Sequence, residues 1–169
     1  MNAPGKTLRV RDIMTTDVIT LVATTSVEDA ARSLTFHRVS GAPVLEHGRI
    51  VGVVSKSDLV DPRYHATATV KPTVREAMTK VVLAVRPGDP AMLAVRLMAS
   101  ESVHRAVVVD DHGKLTGIVS PMDVLRALAR GDSVQANDAT FDERQEHHAE
   151  PATATAYVDL TTFEIRQGA

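Results

Sequence analysis

Apolar positions in this chain follow two alternating rhythms, and the whole alternation occurs twice. Val27, Ala30, Ala31 and Leu34 are spaced as one face of a helix, with Ser26 as N-cap and Asp29 three residues on. Ala91, Ala94, Val95 and Met98 repeat the spacing, with Asp89 as the predicted cap and Pro90 at the first helical position. A β-rich run precedes each helix, at residues 18–22 and 81–85. Two strands follow each helix. Those of the first copy are residues 42–45 and 50–55, turned at His47-Gly48; those of the second are 106–109 and 115–120, turned at His112-Gly113. A last helix begins near Ser57 or Met122. It is predicted to carry Leu59 and Val60, or Val124, Leu125 and Leu128, inward, with Gly131 closing the second copy.

The recurrence extends to individual residues. A shift of 64 places Val10, Arg11, Met14, Thr15 and Val18 on Val74, Arg75, Met78, Thr79 and Val82. The same shift superposes Ala30, Arg32, Val39, Ala42 and Val44 on Ala94, Arg96, Val103, Ala106 and Val108. After one inserted residue, His47, Gly48, Gly52, Val54, Ser55 and Asp58 fall on His112, Gly113, Gly117, Val119, Ser120 and Asp123. Matches that keep their order over a whole unit indicate duplication. The chain divides into a first repeat at 8–61, a linker at 62–73, a second repeat at 74–131 and a polar tail at 132–169. One such unit leaves much apolar surface uncovered. Two packed face to face about a pseudo-twofold axis would share a core and enclose two equivalent clefts. In the tail, Tyr157, Val158, Leu160, Phe163 and Ile165 alternate in part, which predicts one terminal strand pairing with another element or a dimer mate.

Composition narrows the function. Of 169 residues 44% are hydrophobic, as in a globular α/β protein, but only 3% are aromatic, so stacking platforms for single-stranded nucleic acid are not expected. A net charge of −2 without a basic run argues against a DNA-binding face. No Cys is present, which excludes disulfides, thiolate metal sites and thiol nucleophiles. The polar N-terminal residues contain no secretory h-region, and apolar stretches are strand-sized, so the chain is expected to work in the cytoplasm.

The segments VRDIMT at Val10, HRVSGAPV at His37 and GVVSKSD at Gly52, with VREAMT, VHRAVVVD and GIVSPMD in the second copy, resemble the CBS domain. The pair resembles a Bateman module over residues 8–131. The resemblance implies two βαββα units about a pseudo-twofold axis, binding of AMP, ADP, ATP or another adenosyl ligand such as S-adenosylmethionine, homodimerisation, and regulation of a partner. It also implies that each cleft joins the Ser-x-x-Asp segment of one repeat to the strand entries of the other. One cleft then holds Ser55, Ser57 and Asp58 with Leu83, Val103, His104 and Arg105. The other holds Ser120, Met122 and Asp123 with Thr15, Ile19, Val39, Ser40 and Gly41.

Residue chemistry points the same way. A carboxylate at Asp58 or Asp123 suits both hydroxyls of a ribose. Ser55 and Ser57, with helix N-terminal amides, suit a phosphate, as does the fork of Arg105. The second cleft has Pro121-Met122 and Ser40-Gly41 where the first has Lys56-Ser57 and His104-Arg105, so it is expected to hold phosphate less well. Each assignment has a plain structural alternative: Asp58, Asp123 and the serines as helix caps, His104 and Arg105 as a solvated strand edge, the methionines as core filler. Glu143 and His147 in the tail have the i, i+4 spacing of metal ligands, but a solvated connector explains them. No P-loop, HExxH or Ser/His/Asp arrangement stands out, so no enzyme is expected and no cofactor required. The competing function is a ligand-independent dimeric scaffold with degenerate clefts.

Overall fold

The computed structural model describes residues 8–64 and 71–132, together with the pairs 157–158 and 165–166. Each repeat is a three-stranded sheet with its helices. In the first, β1 (Leu21–Val22) runs parallel to β2 (Gly41–Glu46), which pairs antiparallel with β3 (Arg49–Ser55). In the second, β4 (Ala84–Val85), β5 (Ala106–Val109) and β6 (Leu115–Val119) repeat this order. The β2–β3 turn needs two left-handed residues, supplied by His47 at φ 48° and Gly48 at φ 77°.

The helices are α1 (Val10–Ile13), α2 (Val27–Phe36), α3 (Lys56–Leu59), α4 (Val74–Ala77), α5 (Ala91–Ser100) and α6 (Pro121–Ala129). Ser26 caps α2 as predicted, its Oγ accepting from the Asp29 amide at 3.1 Å. Asp89 does not cap α5. Pro90 is the N-cap, and the Asp89 carboxylate turns back to accept from the Arg86 amide at 2.7 Å. Both long helices end in a Schellman motif with a non-glycine residue in the left-handed position. Val39 N–H donates to the Leu34 carbonyl and Val103 N–H to that of Met98, both at 3.0 Å, around Arg38 at φ 55° and Ser102 at φ 53°.

The approach segments at 10–15 and 74–79 form the one-turn helices α1 and α4, and each docks on the opposite repeat. Leu8, Val10 and Ile13 are buried with Ala91, Ala94, Met98 and Val119 of the second repeat. Val74, Ala77 and Met78 are buried with Val27, Leu34, Val44 and Leu59 of the first. Backbone bonds fasten the exchange: Thr15 and Ile118 donate to each other's carbonyls at 2.9 Å, and Thr79 and Val53 do so at 2.9 and 3.0 Å. At both joints a glycine permits the approach. A Cβ on Gly52 would lie 2.8 Å from the Thr79 carbonyl oxygen, and one on Gly117 would lie 3.1 Å from that of Thr15. Between the two sheets Ile50, Val82, Ala84, Val107 and Val109 form the shared core.

The structure departs from the sequence pattern in three further places. Only the last two residues of each β-rich run pair, because Val18 and Ile19, and likewise Val81 and Leu83, turn aside to wall the clefts. Val60, Leu125 and Leu128 are exposed rather than inward, while Leu59, Val124 and Ala127 are buried. The tail forms not one strand but two short ones, β7 (Tyr157–Val158) and β8 (Ile165–Arg166), paired antiparallel with each other. Glu143 and His147 lie outside the described residues, as do Leu160 and Phe163.

Candidate functional site

The exchange of approach segments leaves two cavities between the repeats. The first, of about 520 Å³, lies in the range of ligand sites, roughly 300–1,000 Å³. Ser55, Ser57 and Asp58 enter from the end of β3 and the start of α3; Leu83, Val103, His104 and Arg105 enter from the approaches to β4 and β5. All seven residues assigned to this cleft from the sequence are there. So are Lys56 and Thr79, with Ser102 at the turn after α5, which the sequence reading did not assign. The second cavity, of about 280 Å³, is lined by all eight residues assigned to it: Thr15, Ile19, Val39, Ser40 and Gly41 on one side, Ser120, Met122 and Asp123 on the other.

Ser-x-x-Asp is a reciprocal capping box, the structural alternative named for these residues. The Asp58 Oδ2 accepts from the Ser55 amide at 2.7 Å and from the Ser55 hydroxyl at 2.6 Å, and the Asp58 amide donates to Ser55 Oγ at 3.3 Å. Ser55 has one proton and spends it on Asp58, so the 2.8 Å contact between Ser55 Oγ and Ser57 Oγ has Ser57 as donor. That leaves Oδ1 of Asp58 accepting no bond from the described residues, and a Ser57 proton that a stronger acceptor would capture. Helix α3 has only four residues, so its dipole is a smaller asset than the sequence reading assumed.

Asp123 repeats the box, accepting from the Ser120 amide at 2.8 Å and hydroxyl at 2.7 Å. Its Oδ1 is already taken by Arg126 Nη1 at 3.1 Å. Arg126 and Arg38 both line the second cavity, so that cleft is not short of cations, as the comparison of Ser40-Gly41 with His104-Arg105 implied. Neither arginine was assigned from the sequence. Arg126 had a readable signal, its i, i+3 spacing from Asp123 on α6. Arg38 had none, because its direction follows from the left-handed backbone at the end of α2.

Arg105 stands between the cavities and lines both. Its Nη2 donates to Ser40 Oγ at 2.7 Å. Burial pushes the guanidinium below its ordinary pKa, while the nearby Asp58 carboxylate opposes that shift. It remains a cation at neutral pH. Across the joint, a Cβ on Gly41 would sit 2.1 Å from Arg105 Nη1 and 2.4 Å from the Val54 carbonyl oxygen.

Among the described residues no group of His, Asp and Glu could hold a metal ion, and no helix is long and apolar enough to cross a membrane.

Comparison with known proteins gives a consistent picture. The CBS domain pair of protein MJ0100, solved with 5′-methylthioadenosine and S-adenosyl-L-methionine, is 27% identical at a TM-score of 0.66, over 75% of this chain and all of that one. CBSX2 in complex with AMP is 33% identical at a TM-score of 0.64, over 72% and 96%. The CBS domain of a bacterial CNNM/CorC family Mg2+ transporter in complex with ATP is 28% identical at 0.64, over 74% and 89%. Among curated relatives, L-aspartate semialdehyde sulfurtransferase of Methanocaldococcus jannaschii is 30% identical over 118 residues. The match covers 69% of this chain, which spans only 22% of that protein's length. Protein MJ1232 of the same organism is 26% identical over 122 residues, of which this chain spans 40% of the length. The CBS domain model matches twice, at residues 10–63 and 74–130, and the chain belongs to the CBS domain family as a tandem pair.

Proposed function

We propose that this CBS pair is a cytoplasmic sensor that binds an adenine nucleotide (AMP, ADP or ATP) or a related adenosyl ligand such as S-adenosylmethionine between its repeats without transforming it. Occupancy would then be passed to a regulated partner or to the geometry of a homodimer. The observation that carries this reading is the Asp58 carboxylate in the first cavity, with Oδ2 fixed by the capping box and Oδ1 uncommitted. An oxygen so placed is an acceptor for ribose hydroxyls. Val53, Val81, Leu83 and Val103 give an apolar wall for the base, and Lys56, Ser57, His104 and Arg105 supply phosphate donors. Structures of similar pairs with AMP, ATP and S-adenosyl-L-methionine support the class of ligand.

Binding would stabilise the paired state by about 2.7 kcal/mol at a free ligand concentration of about 100 Kd, and can shift a dimer or partner only by its differential affinity for two states. Calorimetric titration with AMP, ADP, ATP and S-adenosylmethionine tests the reading. Saturable binding that Asp58→Asn weakens roughly 10- to 150-fold is expected, corresponding to loss of charged hydrogen bonds of about 1.5–3 kcal/mol. Unchanged affinity in that variant would remove Asp58 from the site. The second reading, a ligand-independent dimeric scaffold, is favoured by Arg126 occupying the Asp123 carboxylate and by the backbone closure around Gly41. It predicts no heat with any of the four ligands on a folded protein.

A further inference from the structure

Positions 41 and 105 are equivalent under the shift that relates the repeats, as are 40 and 104. In the folded pair they face each other at the joint. A Cβ on Gly41 would collide with the Arg105 guanidinium and, independently, with the Val54 carbonyl. Only one of the two equivalent positions can carry a long side chain, and the second repeat supplies it. The duplicated architecture thus has two clefts but one cation on its axis, and that cation lines both cavities and is tethered to Ser40, which also lines both.

Given the sensor reading above, we infer that Arg105 is a phosphate ligand shared by the two clefts, so that a phosphorylated ligand in one weakens phosphate binding in the other. A guanidinium carries one positive charge, and a 5′-phosphate at neutral pH carries nearly two negative ones. The first phosphate to arrive takes the fork in bidentate fashion and draws it off Ser40. The second cleft then faces an anion across the joint without the Arg105 charge, left with Arg38 and Arg126 alone, and like charges repel there more strongly than in water. An uncharged nucleoside neither takes Arg105 nor repels its counterpart. The clefts are therefore coupled through charge, and by linkage each phosphate weakens the other by the same factor. Ligands lacking phosphate fill both clefts independently.

Contacts specific to each cleft also make the two sites differ, so a simple two-site titration is insufficient. Asp58→Asn leaves the second cleft as the main AMP site, and Asp123→Asn leaves the first. Arg105→Gln is then added to each, and AMP and adenosine are titrated calorimetrically. The expected result is a loss of AMP affinity of roughly tenfold or more in both backgrounds, as for one charge-assisted bond, with adenosine changed less than threefold. In the unsubstituted protein, AMP should bind its weaker cleft at least tenfold less tightly than that cleft binds when it is the main site. Retained adenosine binding shows that the variants fold, and Arg105→Lys, which keeps the charge, should lose less AMP affinity than Arg105→Gln. An AMP loss in one background only, or two AMP sites that fill independently, overturns the inference and leaves the sensor reading intact. Absence of AMP binding to the folded, unsubstituted protein overturns the inference, and absence of heat with ADP, ATP and S-adenosylmethionine as well overturns the sensor reading with it.

Discussion

Gly52→Ala tests the cross-repeat joint on which both clefts depend. The added Cβ would lie 2.7 Å from Met78 Sδ, 3.0 Å from Met78 Cγ and 2.8 Å from the Thr79 carbonyl oxygen. The methionine end can swing aside. The carbonyl cannot, because it accepts the Val53 amide at 3.0 Å while Thr79 N–H donates to Val53 at 2.9 Å. Relief requires the two backbones to separate by several tenths of an ångström, which lengthens both bonds and disturbs the docking of Val74, Ala77 and Met78. Overpacking of this kind costs about 1–3 kcal/mol. Against it stands a gain of about 0.4–1 kcal/mol from the reduced freedom of the unfolded chain. The net expectation is a destabilisation of about 1–2 kcal/mol, or a fall of several degrees in Tm for a domain of this size. Gly117→Ala is the internal control, since its Cβ would be 3.1 Å from the Thr15 carbonyl oxygen and 2.9 Å from the mobile Met14 Sδ. It should cost clearly less, under about 1 kcal/mol. Urea unfolding of the two variants and the parent gives the comparison. A Gly52→Ala protein as stable as the parent, or less affected than Gly117→Ala, would refute the argument.

Other consequences are open to similar measurement. Ser55→Ala removes an N-cap and should cost about 1 kcal/mol, whereas Ser57→Ala, outside the capping box, should change stability by less than about 0.5 kcal/mol yet weaken AMP binding, by urea unfolding and calorimetry. Arg38→Gly relieves a left-handed residue whose strain is about 1–2 kcal/mol, partly offset by unfolded-state freedom, so Tm should hold or rise slightly while nucleotide binding in the second cleft weakens. Glu76 is held below its ordinary carboxylate pKa, first by the Thr73 backbone N–H and then by its hydroxyl. A lowered folded-state pKa contributes stability above the unfolded value and loses it as pH falls through the folded one, so Glu76→Gln should lower Tm slightly at neutral pH, leave it similar in acid, and thereby flatten the acid limb of a Tm-against-pH curve.

The duplicated plan was legible because both repeats preserve the same markers. Ser26, the His47-Gly48 turn and the strands on either side of it fell where local chemistry placed them. The exchange of α1 and α4 between repeats was less accessible: periodicity shows that Val10, Ile13, Val74 and Ala77 want burial, not which repeat buries them. The misassignment of Val60, Leu125 and Leu128 has a related cause. In a helix as short as α3 or α6, adjacent apolar residues define more than one stripe, and the stripe used depends on what packs there. Asp58 and Asp123 were visible as a repeated pattern, but not how their second oxygens differ: Oδ2 of each is spent on the cap, while Arg126 takes Oδ1 of Asp123 alone. Arg105 was read as part of one cleft. Its position in both depends on the void at Gly41 and on the hydrogen bond to Ser40, and these arise only when the two repeats meet.

The most direct test of the account is the crystal structure of the protein with AMP. The account predicts AMP in the first cavity, its ribose hydroxyls donating to Oδ1 of Asp58 and its phosphate against Ser57 and Arg105, with the Ser40–Arg105 bond broken. AMP found elsewhere, or in this cavity with its ribose turned away from Asp58, would contradict it.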